Sequence, residues 1–538
     1  MQGLADFVDD LLIALELIAF ALAVGGVVWG LAMRRPWRRP AGPLTTEGSS
    51  LGLMFGGASG LLVCQLAHFL VKAWILGVTL GRSPFPAFFH TPLFQAGLYR
   101  ALLASAMIGC IAWLRQRPSS MRRWLAVTVV ALLLLINSAW LLHAVSRLDD
   151  RIQLMTLTTA HELGGAAWAG GLAQLLLFWR RRARHPALDR LWPEALRRFS
   201  VVASASIALI VATGTALSLS YVGSWRGLFG TAYGAVLLAK IALLGTALGF
   251  GAYNHRIVRR VSREEQPEGL RRQVPYFVEV EAFIMVAILL AAAALASQPP
   301  AVDTPRQTAS WSEVRGIFTP RLPRLTSPPH VTLNVEDDPS TWSTPEKLRS
   351  THWSEFNHNV SGLFLLAMGL LALMEHTRLR WLARHWPLGF LGLGLFLIIR
   401  SDPSTWPLGP HTFWESLGDA EVLQHRLATL LVFALGFMEW RAHSPRAAGT
   451  RLPYVFPLLS LVGGGLLLTH NHIGFQLKSK FLIQISHTAM GMLAVLLGSG
   501  RWLELRVGEK AGKLAGVGSK MALILIGVIL TFYNETIE

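Results

Sequence analysis

Long apolar runs recur along the whole 538-residue chain. Each is about 18 to 25 residues long, the length that an α-helix needs to cross about 30 Å of hydrocarbon. The composition agrees, since 52% of the residues are apolar and 15% are charged. The sequence therefore predicts an all-α, polytopic membrane helix bundle with about fourteen transmembrane helices. The runs lie near 8–30, 53–78, 95–114, 124–143, 157–179, 199–221, 232–254, 276–297, 358–376, 387–400, 422–440, 453–470, 480–499 and 519–533.

The runs fall into two groups, which predicts an arrangement of eight helices followed by six. Residues 1–297 form the first membrane domain, and residues 358–538 form a second one that contains several histidines. Between them, residues 298–357 are rich in Pro, Ser and Thr, a composition typical of a linker. Within this linker, the stretch HVTLNVE (330–336) predicts a short strand.

The net charge of +17 is distributed unevenly among the loops. Most Lys and Arg residues fall in alternate loops, for example 34–39, 180–198 and 255–273. By the positive-inside rule these loops are cytoplasmic, which places both termini outside and makes 298–357 a periplasmic segment. The positive charge is therefore explained by topology, and the predicted partner is the lipid bilayer rather than nucleic acid.

Three helices of the second domain begin with histidine and carry glycine eleven residues later. They start as HNVSGLFLLAMG (358–369), HRLATLLVFALG (425–436) and HTAMGMLAVLLG (487–498). Because all three are predicted to run from outside to inside, His358, His425 and His487 should form one layer near the outer face. His470 and His472, in the adjoining loop, can supply a further ligand.

An imidazole in hydrocarbon is costly unless it is hydrogen-bonded, faces water or binds a ligand. Imidazole suits copper, zinc, iron and haem, so the layer predicts a metal site of three histidines. Two alternatives remain open: ordinary interfacial histidines bonded to water or loop carbonyls, and axial ligands of a haem b. The first domain has its own candidates, which are His68 in the second span, His143 at the end of the fourth and His161 at the start of the fifth.

Several stretches of the first domain are similar to the copper resistance protein D (CopD) family of bacterial inner-membrane proteins. They include LLHAVS (141–146), AHELGGAAWAGGL (160–172), RRFSVVASASIALIVATGTALS (197–218) and WRGLFGTAYGAVLLAKIALLGTALGFGAYNH (225–255). The resemblance covers roughly residues 1–300 and leaves the second domain unexplained. His143 and His161 are the matching histidines, with Trp168 and Tyr233 as landmarks, whereas Ala169 departs from the larger apolar residue usual there.

The resemblance implies a copper-handling membrane module, which often works with a periplasmic copper-binding partner of the CopC type. We therefore expect a multi-pass protein of the bacterial inner membrane that captures copper, as Cu(I) or Cu(II), at periplasmic histidines and passes it through or into the membrane. We expect no enzyme activity, since the sequence contains no nucleophile elbow, P-loop, dinucleotide fingerprint or HExxH helix. The alternatives are a b-type haem redox protein and a non-catalytic assembly protein.

Overall fold

The structure is a computed structural model that describes most of the chain as helices. The described residues are 2–37, 43–80, 88–182, 186–189, 191–261, 273–334, 342–378, 380–447, 449–469 and 477–535. Within these ranges the one β-type pairing is an isolated bridge between Thr405 and His411. The predicted all-α class is therefore confirmed.

The principal helices are numbered in chain order. They are α1 (Gln2–Phe20), α2 (Gly26–Trp37), α3 (Pro43–Leu80), α4 (Pro92–Gln116), α5 (Met121–Ser138), α6 (Arg151–Arg182), α7 (Trp192–Val222), α8 (Ala232–Val261), α9 (Val274–Ser297), α10 (Trp311–Ile317), α11 (Thr344–Leu373), α12 (Leu388–Arg400), α13 (Ala420–Ala442), α14 (Val455–Leu468), α15 (Leu477–Val507) and α16 (Glu509–Thr531). A π-helical turn, Ala21–Gly25, joins α1 to α2.

Eleven segments of the described residues are long and apolar enough to span a membrane. Apolar side chains such as Leu70, Leu132 and Leu430 are exposed on their outer surfaces, as expected for helices that face lipid. The remaining predicted spans correspond to α6, α12 and α14. With 13 and 14 residues, α12 and α14 rise only about 20 Å, which is less than the hydrocarbon thickness. The chain is a multi-pass membrane protein, whereas the count of fourteen and the side of each terminus stay predictions.

A close helix crossing holds α6 against the π-helical turn. A Cβ atom added at Gly25 would lie 1.9 Å from the carbonyl oxygen of Ala166, and one added at Gly170 would lie 2.1 Å from that of Ala21. Only glycine permits this approach, which follows the use of small residues at membrane helix interfaces. The crossing places the middle of α6 against the turn that follows α1.

The segment between the two helical groups differs from the sequence prediction at two points. His330–Thr332 form a 3₁₀-helix, so the predicted strand is wrong there; residues 335 and 336 lie outside the described residues. The ring of His330 also packs on Trp353, an interaction that the linear pattern does not reveal. Helix α11 begins at Thr344, well before the predicted start at 358, because Ser343 and Glu346 form a capping box.

The two helical groups pack together through a shared core. One cluster of buried apolar side chains includes Met285 and Ile288 of α9 together with Leu468 of α14 and Val495 of α15. Beside it, the buried carboxylate of Glu279 accepts hydrogen bonds from Trp502 at 2.9 Å and Arg506 at 3.1 Å. We call Glu279, Trp502 and Arg506 the inter-half cluster.

Candidate functional site

A charged cavity of about 550 Å³ lies among α1, α3, α4, α5, α6 and the end of α9. The second helical group completes its wall with Gln424, Thr469 and Leu477. The ionisable side chains that line it are Asp9, Asp10, Glu16, His68, Lys72, Arg100 and Glu162. Ionisable side chains are rare within apolar membrane helices, so this concentration makes the cavity the candidate functional site.

His68 is held between two carboxylates of α1. Its Nε2 atom lies 3.0 Å from Asp9 Oδ1, and its Nδ1 atom lies 2.8 Å from Glu16 Oε1. Asp9 and Glu16 are seven residues apart, which places both on one face of the helix. Both carboxylates are buried, at 6% and 4% of full exposure, so water screens these contacts poorly.

Each of these carboxylates also contacts a basic side chain. Lys72, one turn after His68 on α3, lies 2.6 Å from Asp9 Oδ2. Arg100 of α4 lies 3.3 Å from Glu16 Oε2 and is itself buried. Charge in this part of the cavity is therefore balanced by protein groups, and a metal cation that binds here must replace some of these contacts.

Glu162 supplies a third carboxylate to the cavity from α6. Its Oε1 atom accepts a hydrogen bond from Ser138 at 3.0 Å, and its buried Oε2 atom has no partner among the described residues. A buried carboxylate oxygen without a donor is suited to a cation. The adjacent His161 instead contacts Thr213 on α7 at 3.0 Å, and it does not line the cavity.

The remaining histidine predicted in the first domain, His143, begins a 3₁₀-helix after α5. Its ring lies 6.4 Å from the ring of Tyr221, and it does not line the cavity. The structure thus separates His68, His143 and His161 into three environments. Of the three, only His68 is joined to acidic side chains in the cavity.

Of the five histidines predicted in the second domain, the structure describes His358, His425 and His487. The rings of His358 and His487 lie 5.8 Å apart. His425 instead bonds through Nδ1 to Asp402 at 2.7 Å. His470 and His472 lie outside the described residues.

No group of three or more His, Cys, Asp or Glu side chains is arranged to hold a metal ion within the part of the chain that the structure describes. Metal binding by the eight predicted histidines therefore stays a prediction. Sequence reasoning missed Glu16 and Arg100. The spacing of Asp9 and Glu16 within one apolar run was the signal that could have found the first of them.

Fold and site together define a multi-pass helical membrane protein with a charged cavity inside the bundle. Residues 193–295, which cover most of α7, all of α8 and most of α9, match the sequence model of the family described as copper resistance protein D. This match confirms the resemblance over residues 193–295. It ends directly before Ala296, Ser297, Gln298 and Pro299, which line the cavity.

A curated relative is the copper transport protein CutJ of Bacillus subtilis (strain 168). It is 30% identical over 207 residues, which are 38% of this chain and 36% of the relative. The chain thus matches little more than a third of the relative's length. No solved structure matches the chain significantly.

Proposed function

We propose that this chain is a copper transport and homeostasis protein of the bacterial inner membrane, and that the charged cavity is part of its copper path. The observation that carries the proposal is the arrangement of His68, Asp9, Glu16 and Glu162 around one cavity inside apolar helices. The family of residues 193–295 and the name of the relative support copper as the cargo.

The side chains around the cavity have two roles in the proposed copper path. Imidazole and carboxylate groups are ligands for copper, while Lys72 and Arg100 keep the carboxylates neutralised when no metal is present. Entry of a copper ion breaks contacts made by Asp9 and Glu16, and the basic side chains restore them after the ion leaves. This exchange of carboxylate contacts favours passage of the copper ion through the cavity over its permanent binding there.

Capture of copper before it enters the cavity is assigned to the predicted periplasmic histidines. A periplasmic copper-binding protein of the CopC type is the expected donor. The direction of transport is left open, because the same exchange of contacts operates for import and for export.

The proposal is tested by the copper content of cells that lack the chain and are complemented with variants. His68→Gln and Glu162→Gln should remove most of the difference in copper content, measured by mass spectrometry, between wild-type and deletion cells. His255→Gln is the control, because His255 is exposed and bonds to Ser200 outside the cavity. Wild-type copper content in both cavity variants, at equal protein levels in the membrane, would overturn the proposal.

A further inference from the structure

The turn between α4 and α5 concentrates positive charge that no acidic side chain balances. Residues 113–125 contain Arg115, Arg117, Arg122 and Arg123, and they contain no Asp or Glu. We call these four residues the turn arginines. None of them forms an ion pair within the described part of the chain. Elsewhere in the protein such pairs do form, for example between Arg198 and Glu194.

The turn arginines lie at the ends of two membrane-spanning helices. Both α4 and α5 are long and apolar enough to cross a membrane, and residues 117–120 connect them. A connection of this length reaches about 14 Å at most, so it keeps the turn close to the membrane surface. The guanidinium groups are therefore held at the depth of the lipid headgroups, on the side that the positive-inside rule predicts to be cytoplasmic.

The backbone of the turn is held from within the bundle. The indole of Trp124, which is buried, donates a hydrogen bond to the carbonyl oxygen of Pro118 at 2.8 Å. Arg34 of α2 donates to the carbonyl oxygen of Ser119 at 3.3 Å. Because the turn is fixed in this way, the turn arginines extend from a defined position rather than from a loose loop.

Arg123 is the turn arginine with the most defined geometry. Its guanidinium lies over the ring of Trp113, 4.7 Å from the ring centre. Its Nη1 atom donates to the carbonyl oxygen of Trp113 and, at 3.4 Å, to Gln116. Its Nε and Nη2 atoms make no hydrogen bond with the described residues. These two nitrogens form one side of the guanidinium, which can bind two oxygens of a phosphate at once.

An exposed apolar face of α4 leads to this arginine. Leu102, Ala106, Gly109 and Trp113 are all exposed, and their spacing of four, three and four residues places them on one face of the helix. A Cβ atom added at Gly109 would meet no atom within 4 Å. The small residues Ala106 and Gly109 thus leave open space between Leu102 and Trp113, where an acyl chain can lie.

The charges select the kind of lipid. A phosphodiester matches the free side of the Arg123 guanidinium, and the other turn arginines add to the positive potential that attracts an anion. A zwitterionic headgroup such as phosphatidylethanolamine also carries an ammonium group. That ammonium group would lie close to the turn arginines, with no carboxylate in residues 113–125 to accept it.

We propose that the α4–α5 turn binds one anionic phospholipid of the phosphatidylglycerol type. Arg123 holds the phosphate, and Trp113 positions Arg123 and contacts the upper part of the acyl chain. The proposal does not depend on the proposed copper path, because no turn arginine lines the charged cavity.

The test is lipid binding by the full chain in detergent, measured by native mass spectrometry with phosphatidylglycerol and phosphatidylethanolamine of identical acyl chains. Wild type should bind one phosphatidylglycerol about tenfold more tightly than phosphatidylethanolamine. Arg123→Gln should remove most of this preference. Arg123→Lys should also reduce it, since lysine keeps the charge but loses the paired donors. Arg446→Gln, an exposed arginine between α13 and α14, is the control and should behave as wild type.

Equal affinity of wild type for the two lipids would overturn the proposal, and so would a wild-type preference in both Arg123 variants. A photo-crosslinkable phosphatidylglycerol provides a test that needs no variant. It should label peptides within residues 102–125, and labelling only elsewhere would overturn the proposal. Displacement of the bound lipid by inorganic phosphate would show a site for a free anion, which would also overturn it.

Discussion

Single side chains of the charged cavity interact so closely that the loss of one affects the others. His68 separates two buried carboxylates, Asp9 and Glu16, and bonds to both. Removing one partner of a buried ionic group is expensive because the charge that remains is neither solvated nor paired. The stability of this region should therefore depend more on His68 than on Lys72, whose side chain is 35% exposed.

His68→Ala should lower the free energy of unfolding by about 3–5 kcal/mol, the usual effect of breaking a buried ionic contact. Lys72→Ala should have a much smaller effect, because water can solvate Asp9 from the side that Lys72 leaves. Thermal unfolding of the two variants in the same detergent measures the difference. Equal losses in the two variants would show that His68 has no special part in stabilising the cavity.

A second group of charges makes stability depend on pH. His443, directly after α13, lies 2.8 Å from Glu375. Burial opposes the charged imidazole, but the hydrogen bond to Glu375 and the charge of Glu439 raise the pKa of His443 overall. Burial likewise opposes the carboxylate of Glu375, yet hydrogen bonds from His443 and Lys520 lower the pKa of Glu375 to about 2.

The stabilising contribution of His443 should be fully present below about pH 6.5, the unfolded pKa of histidine, and should disappear as pH rises through the higher folded pKa. The contribution of Glu375 has the opposite dependence, since it is lost only as pH falls toward 2. Melting temperature should therefore decline above neutral pH, and His443→Gln should flatten that decline. If the melting temperatures of wild type and variant fall identically above neutral pH, the pair of His443 and Glu375 does not contribute to the pH dependence of stability.

Among the helices, the crossing of α6 over the π-helical turn is the closest contact that positions the cavity. Gly170→Ala would place its Cβ atom 2.1 Å from the carbonyl oxygen of Ala21, so the two helices must separate. We expect a loss of about 1–3 kcal/mol, as for other overpacked sites. Thermal unfolding of the variant measures this loss.

Gly165→Ala is the matched control on the same helix. A Cβ at Gly165 meets no atom within 4 Å, and alanine favours a helix by about 1 kcal/mol over glycine. This variant should be as stable as wild type or more stable. If Gly170→Ala behaves in the same way as Gly165→Ala, the close crossing does not exist.

The helices are easier to predict from the sequence than the contacts between them. Apolar runs indicate the spans because hydrocarbon imposes a length on each helix. They place the start of α11 too late, because its first turns are polar and are held by the capping box at Ser343 rather than by apolar periodicity. The predicted layer of three histidines relies on equal depth alone. Depth does not fix the direction of a side chain, so it cannot show that His425 bonds to Asp402.

The composition of the charged cavity also depends on tertiary contacts. The sequence predicts His68 and Lys72 as a pair one turn apart, but their acidic partners on α1 lie 52 residues earlier for His68 (Glu16) and 63 residues earlier for Lys72 (Asp9). A local sequence pattern does not indicate which side chains pair across that separation. Arg100 is predictable only as an isolated charge in an apolar run, which marks it as functional without naming Glu16 as its partner.

At the scale of the whole molecule, the two helical groups form one packed unit. The inter-half cluster joins Glu279 of α9 to Trp502 and Arg506 of α15, and residues of both groups line the charged cavity. The second group is therefore part of the architecture of the candidate copper path, and its removal should open the wall formed by Gln424 and Thr469.

A chain divided between residues 334 and 342 should still assemble. The two fragments, co-expressed with a tag on one, should purify together in detergent because buried contacts hold them. Glu279→Gln should reduce the yield of the untagged fragment, since it removes the charge that Arg506 contacts. Fragments that separate during purification would contradict a shared core.

Passage of copper through the cavity around His68 can be measured as flux across a membrane. The experiment follows radioactive copper, supplied as Cu(I), in proteoliposomes that contain the full chain, its His68→Gln variant or its His255→Gln control. We predict flux in wild type and control that falls at least tenfold in His68→Gln, with no Soret band in any of the three proteins. Equal flux in all three, or a wild-type protein that carries haem and moves no copper, would contradict a copper path through this cavity.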